Sequence, residues 1–172
     1  MQKVSSEAPL LRFGMEFAMP ARFNRIDFYG KGPFPNYADR QSAAMMGHYI
    51  QPVADQFDWT YPRPQESASH TGLRWIKVVD ASGQGLEFAS KDKFAASAQP
   101  FARRDFDLSR GACTHTQDLR QRLEEGAEAT WVNLDLFQMG VGYIDRGDLP
   151  EDYKIAAGSY TFKYVIRPQY KK

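Results

Sequence analysis

The stretch Val132-Asn133-Leu134-Asp135-Leu136-Phe137-Gln138-Met139-Gly140-Val141-Gly142 decides how this chain is read. Val132, Leu134 and Leu136 alternate with Asn133, Asp135 and Phe137, a period of two that marks a half-buried strand. Gly140 and Gly142 permit backbone angles that other residues avoid, so the strand runs into a glycine-framed loop. A loop held in this way can present chemistry, and function is sought near residues 143 to 149.

The same alternation recurs on both sides of this stretch. Leu10 to Ala18 and Phe23 to Tyr29 read as two strands broken at Pro20, and Ala129 to Phe137 and Gly158 to Ile166 close the series. In the last of these, Tyr160, Phe162, Tyr164 and Ile166 share one face. Leu73 to Asp80, the turn Ser82-Gly83-Gln84-Gly85 and Leu86 to Ala89 form a hairpin, and Phe94 to Phe101 is a further strand. Gly30 to Tyr37 packs two glycines and two prolines into eight residues, which excludes helix interior and central strand. Ala38 to Gly47 can form a short helix, but Pro52 and the polar run Asp55 to Asp58 argue for an irregular excursion with a short edge strand. Tyr61 to Glu66 is extended, because a residue before proline is pushed out of the helical region. Thr116 to Leu123 is the best helix, with Thr116 as N-cap and Leu119 and Leu123 one turn apart. Short strands at intervals of about ten residues with few helices predict an all-β sandwich or barrel. Residues 1–9 read as a disordered or appended segment and 10–172 as a single domain.

A chain of 172 residues can bury a core without disulfides or a structural metal. With 22 Lys and Arg against 21 Asp and Glu, net charge supplies no reason to expect nucleic acid or an anionic membrane as partner. The N-terminal residues lack the apolar run of a signal peptide or membrane span. Aromatic residues reach 14%, enough to serve both a sheet core and the flat faces of sugars. Trp75 and Trp131 sit inside strand patterns and are expected in the core, whereas Trp59 lies in an irregular segment open to solvent. Cys113 is the single cysteine and has no partner for a disulfide.

Four segments in order carry a resemblance to a known family. They are Tyr29-Gly30-Lys31-Gly32-Pro33 leading into Asn36-Tyr37-Ala38-Asp39-Arg40, then Tyr61-Pro62-Arg63-Pro64-Gln65-Glu66, then Ser97-Ala98-Gln99-Pro100-Phe101, and finally Asn133-Leu134-Asp135 with Gln138-Met139-Gly140-Val141-Gly142. From about Leu11 to Ile166 the chain resembles the C-terminal domain of the large bacterial β-galactosidases of glycoside hydrolase family 2. The resemblance implies the C-terminal portion of a galactose mutarotase-like supersandwich, either a piece of a longer chain or a reduced version. Strands missing from such a domain leave unpaired edges, which favour the remaining domains of the parent enzyme, or a second copy, as partners.

Enzymes of that family are retaining glycosidases that remove terminal β-D-galactose with two carboxyl groups. The resemblance places both in another domain, so this chain is expected to hold no catalytic residue and no metal site, and to be inactive alone. Glu124, Glu125 and Glu128 are expected on solvated surface. The parent's Mg and Na or K ions, and a cytoplasmic or periplasmic location, are likewise only implied by family. In relatives, the loop after Met-Gly-Val-Gly carries a tryptophan that forms part of the sugar platform. Here it reads Tyr143-Ile144-Asp145-Arg146-Gly147-Asp148, without that tryptophan, and Tyr143, Asp145 and Arg146 are the candidate substrate-binding residues. Tyr37, Asp39 and Arg40 are read as a brace, with Arg40 free to pair with a carboxylate such as Glu66. Two other functions are open to the same residues: a free-standing carbohydrate-binding module, which needs an exposed tryptophan face, and an aldose epimerase, which needs a histidine acid with a carboxylate base. His48, His70 and His115 lie on three separate segments, read as loops, and none is spaced from a carboxylate so as to identify a pair.

Overall fold

β-branched and aromatic residues at every second position build seven strands, and one short amphipathic run builds the helix. The computed structural model describes residues 10–106, 115–142 and 149–170. In chain order the elements are β1 (Arg12–Pro20), β2 (Arg25–Gly32), β3 (Met45–Pro52), β4 (His70–Val79), β5 (Gly85–Gln99), α1 (Thr116–Glu125), β6 (Ala129–Gln138) and β7 (Val165–Gln169). All pairings are antiparallel, in the order β1-β6-β5-β4-β2-β3. β7 joins β5 along Gly85–Ala89, while β6 joins it along Ala95–Gln99. Of the sandwich or barrel that the pattern allows, the architecture is the all-β, antiparallel β-sandwich that the resemblance implies.

One face of the sheet carries the main core. Ile26, Phe28, Leu73, Ile76, Val78, Phe88, Val132 and Leu134 are fully buried there. Val53, Phe23, Phe162 and Tyr164 pack over them from connecting segments. A smaller cluster of Phe57, Phe101 and Leu119, with Trp59 and Leu123, seats α1, so the one-turn spacing of the two leucines identifies the packed face of the helix. The N-cap is His115, one residue earlier than expected, because the Thr116 hydroxyl donates instead to the Tyr61 carbonyl at 2.5 Å.

Three expectations are corrected. The helix over Ala38 to Gly47 does not form: Met45–Pro52 is the edge strand β3, whose pairing with β2 from Arg25 to Gly32 outweighs the helical preference of Ala43, Ala44, Met45 and Met46. The two strands expected after the hairpin turn are one strand of 15 residues, β5, with register shifts on its β4 side. The last strand starts at Val165; before it, Tyr160, Phe162 and Tyr164 alternate in burial as expected without a ladder partner, since periodicity reports which side chains face the core and not which backbone is paired. Trp75 and Trp131 also lie outside the core. Trp75 is half-buried on the opposite face, 5.5 Å from the His48 ring, and Trp131 lies under Arg104 at 5.0 Å. Trp59 is half-buried against Phe57 and Phe101.

Candidate functional site

The loop after β6 is rooted by residues far away in sequence. Asp39 accepts the Val141 N–H on Oδ1 at 3.1 Å and the Gly142 N–H on Oδ2 at 2.9 Å. Arg40 donates from Nη2 to the Gly142 carbonyl at 2.7 Å. A Cβ on Gly140 would lie 2.6 Å from Asp39 Cγ, so the close approach requires glycine, and Gly142 has φ of +68°, which glycine adopts without strain. Beyond the interval 143–148, the chain returns at Leu149, which is buried and whose Cδ1 lies 3.8 Å from where a Gly142 Cβ would sit.

Asp39 and Arg40 are in turn held by the loop that follows β2. Buried Asn36 donates to the carbonyls of Lys31 and Phe34 and accepts from the Thr71 N–H and hydroxyl. This satisfies loop backbone that the glycines and prolines leave outside any ladder. Tyr37 is buried beside it, and burial, with Glu66 nearby, pushes its hydroxyl well above the usual range.

One cleft adjoins this root, and a second shares Glu66 with it. The first, about 530 Å³, runs from Phe34 and Arg40 past Asp58 and Tyr61 to Glu66 and Val141. Phe34 and Tyr61 are exposed by 46% and 39%, and rings beside a guanidinium and carboxylates suit a neutral polyhydroxylated ligand. The second, about 600 Å³, is lined by Arg12, Glu16, Glu66, Arg104, Asn133 and Asp135 among others. Glu66 belongs to both. Its carboxylate takes Arg12 Nη2 at 3.1 Å and Arg103 Nη1 at 3.0 Å, so the expected pair of Arg40 with Glu66 is replaced: Arg40 holds the loop carbonyl and Glu66 holds two other arginines.

Arg12 also donates to Asn133 Oδ1 at 3.3 Å and lies 3.6 Å from Asp135 Oδ2. Asn133 and Asp135, the polar half of the alternation in β6, are therefore buried at 2% exposure each, and the strand is covered on both faces. Burial pushes the Asp135 carboxyl up to about 6 against the pull of Arg12, and raises Glu66 and Glu16 as well. A buried ion network of this kind persists where every charge finds a partner. Composition conceals Arg12 and Arg103: Arg12 stands opposite Gln138 in the ladder and reaches Asn133 and Asp135 diagonally, and Arg103 comes from a short turn after β5.

The histidines occupy three environments, two of them in strands. His70, at the start of β4, is fully buried between the Lys31 carbonyl at 3.2 Å and Gln56 Oε1 at 2.7 Å, and burial lowers its pKa to about 4. His48 on β3 bonds Asp27 Oδ1 at 2.6 Å on the outer face, a pair between neighbouring strands that sequence spacing did not reveal. His115 caps α1. Among the described residues no group of three or more His, Cys, Asp or Glu could hold a metal ion, and no helix is long and apolar enough to cross a membrane. Glu124, Glu125 and Glu128 are exposed.

A family model described as β-galactosidase small chain matches residues 1–166. The chain belongs to the β-galactosidase small chain family. It is 31% identical over 160 residues to the β-galactosidase of Streptococcus thermophilus, covering 91% of this chain and 15% of that protein. It is 32% identical over 148 residues to the β-galactosidase of Halalkalibacterium halodurans, covering 84% and 14%. It is 34% identical over 169 residues to the β-galactosidase of Lactobacillus delbrueckii subsp. bulgaricus, covering 95% and 16%. The chain thus spans about one-seventh of the length of these relatives.

Within this small-chain domain, the segments that carried the resemblance converge in space. Asn36 to Arg40 grips Val141 and Gly142, and Glu66 at the end of the Tyr61 segment reaches Arg12 beside Asn133 and Asp135. The candidate contact residues Tyr143, Asp145 and Arg146 lie outside the described residues; what the structure supplies is the frame on which their loop is mounted.

Proposed function

We propose that this domain is a non-catalytic part of a β-galactosidase that hydrolyses terminal β-D-galactose residues, and that it contributes the loop 143–148 and the adjoining cleft to the sugar pocket. The observation that carries this reading is the root itself. Asp39, Arg40 and Gly140 hold the backbone at Val141 and Gly142, where the chain enters the loop, with charge-assisted bonds that an idle surface turn does not need. In this reading Tyr143 supplies a ring, and Asp145 and Arg146 bond sugar hydroxyls, in place of the tryptophan expected from the family. The two catalytic carboxyl groups of a retaining hydrolase, and the Mg and Na or K ions, belong to the parent's other domains, which are the domain's principal partners.

The test is complementation. The Streptococcus thermophilus β-galactosidase lacking its matched segment is combined with this chain, and hydrolysis of a chromogenic galactoside is followed. Activity is expected only in the combination, with KM raised several-fold by Tyr143→Ala or Arg146→Ala. Hydrolysis by the isolated chain, or kinetics indifferent to these substitutions, overturns the proposal. The exposed rings of Phe34 and Tyr61 favour a second reading, a carbohydrate-binding module, for which calorimetry should show millimolar galactose or lactose binding to the chain alone.

A further inference from the structure

Five strands lie side by side in the order β3, β2, β4, β5, β7, and on the face they turn away from the main core two rows of side chains are half-buried or exposed among the described residues. Register sets these rows. One runs Ile50, Asp27, Lys77, Glu87, Arg167, and the next runs His48, Tyr29, Trp75, Ala89, Val165. Ile50, Tyr29 and Val165 are exposed by 57%, 41% and 50%, a run of apolar surface beside charges of alternating sign. Within the chain Lys77 lies 3.4 Å from Asp27 and Arg167 lies 2.5 Å from Glu87.

We propose that this face docks a second copy of the chain, the two sheets stacking about a two-fold axis that runs along the strands between β4 and β5. Such an axis reverses each row and lays it on itself. Lys77 then meets Glu87 of the second copy, and Asp27 meets Arg167, so every facing pair of charges on β2, β4, β5 and β7 is opposite in sign. In the other row the two large rings meet small residues: Trp75 faces Ala89 and Tyr29 faces Val165. Facing sheets stack about 10 Å apart at about 30°, a twist that moves the outer columns furthest and leaves the pairs beside the axis, Lys77 with Glu87 and Trp75 with Ala89, in closest register. A row of single sign, or rings opposite rings, would fail this operation. β3 falls outside the overlap, so this association differs from edge-to-edge pairing.

The experiment is sedimentation velocity on the full 172-residue chain from about 1 μM to about 500 μM. A concentration-dependent dimer is expected. Two double variants swap charges within the Lys77–Asp27 and Arg167–Glu87 pairs: Asp27→Lys with Lys77→Glu, which also gives up the bond from Asp27 to His48, and Glu87→Arg with Arg167→Glu, which leaves that bond in place. Each should fold with the wild-type far-UV spectrum and associate at least about tenfold more weakly, because like charges now face across the axis. Mixed together they should recover wild-type association, since all facing pairs become opposite again. Val165→Lys, at an exposed position outside the ion pairs, should also weaken the dimer. A wild-type chain that stays monomeric at every concentration, as when another domain of a longer polypeptide or a sugar covers the face, overturns the proposal. So does a dimer indifferent to Val165→Lys and to the swaps.

Discussion

Replacing Asp39 by Ala is the sharpest test of the loop root. The substitution removes two acceptors, at 3.1 and 2.9 Å from the Val141 and Gly142 nitrogens. A hydrogen bond to a charged group contributes about 1.5–3 kcal/mol net, but all three residues are half-exposed, so water restores part of each bond and the expected loss is about 2 kcal/mol in total. For a chain of this size that lowers Tm by roughly 4–8 °C. Asp39→Asn keeps one acceptor oxygen and should lose about half as much. Gly140→Ala attacks the same contact from the other side, since its Cβ would stand 2.6 Å from Asp39 Cγ and 2.8 Å from Oδ1. Once Asp39 is Ala those two atoms are gone and only the Cβ contact at 2.9 Å remains. The double variant should therefore lose less than the sum of the singles, by about 1 kcal/mol. Urea denaturation of the four proteins, with m-values unchanged, measures the cycle. An Asp39→Ala loss below about 0.5 kcal/mol, or strict additivity, would refute the brace.

Arg40→Ala, which frees the Gly142 carbonyl, should cost about 1 kcal/mol in the same assay, and unchanged stability counts against its role. Leu134→Ala opens a cavity in the fully buried core and should cost about 2–5 kcal/mol, with a loss under 1 kcal/mol contradicting the packing. Two buried groups make opposite contributions to the pH profile. Asp135, raised from 3.8 to about 6, binds its proton more tightly when folded, so its contribution falls as pH rises from about 4 to about 6 and is level above. His70, lowered from 6.5 to about 4, binds its proton more tightly when unfolded, so its contribution is intact above about 6.5 and is lost as pH falls towards 4. Asp135→Asn should therefore steepen the acid loss of stability and His70→Asn should flatten it; midpoints that shift in parallel at all pH values would disprove both assignments.

The strands were legible because alternation is a local property: Val132 and Leu134 announce a core face whatever they pair with. What they pair with was not legible, and β3 shows why. Ala43 to Met46 favours helix locally, and only the ladder from Asp27 to Ile50 and from Tyr29 to His48, formed across a loop, makes that segment a strand. The polar half of β6 was hidden for a related reason. Asn133 and Asp135 look like solvent-facing residues until Arg12, more than a hundred residues earlier, is laid beside them by β1. Near the candidate loop, Asp39 and Arg40 were legible as a brace. Their target, the backbone at Val141 and Gly142, was not, because a carboxylate bonding main chain leaves no complementary residue type to find.

The closeness of Gly142 and Leu149 has a consequence for how this family can diversify. Gly142 and Leu149, which bracket residues 143–148, lie close together, and the bonds on the Gly142 side come from Asp39 and Arg40, far away in sequence. Closing a longer excursion between fixed ends costs only about 0.6 kcal/mol per doubling of length. New sequences, including longer ones, are therefore expected to fit between Gly142 and Leu149 at little cost to the folding stability of the sheet beneath, so this is a position where relatives can vary in length as well as in residue type.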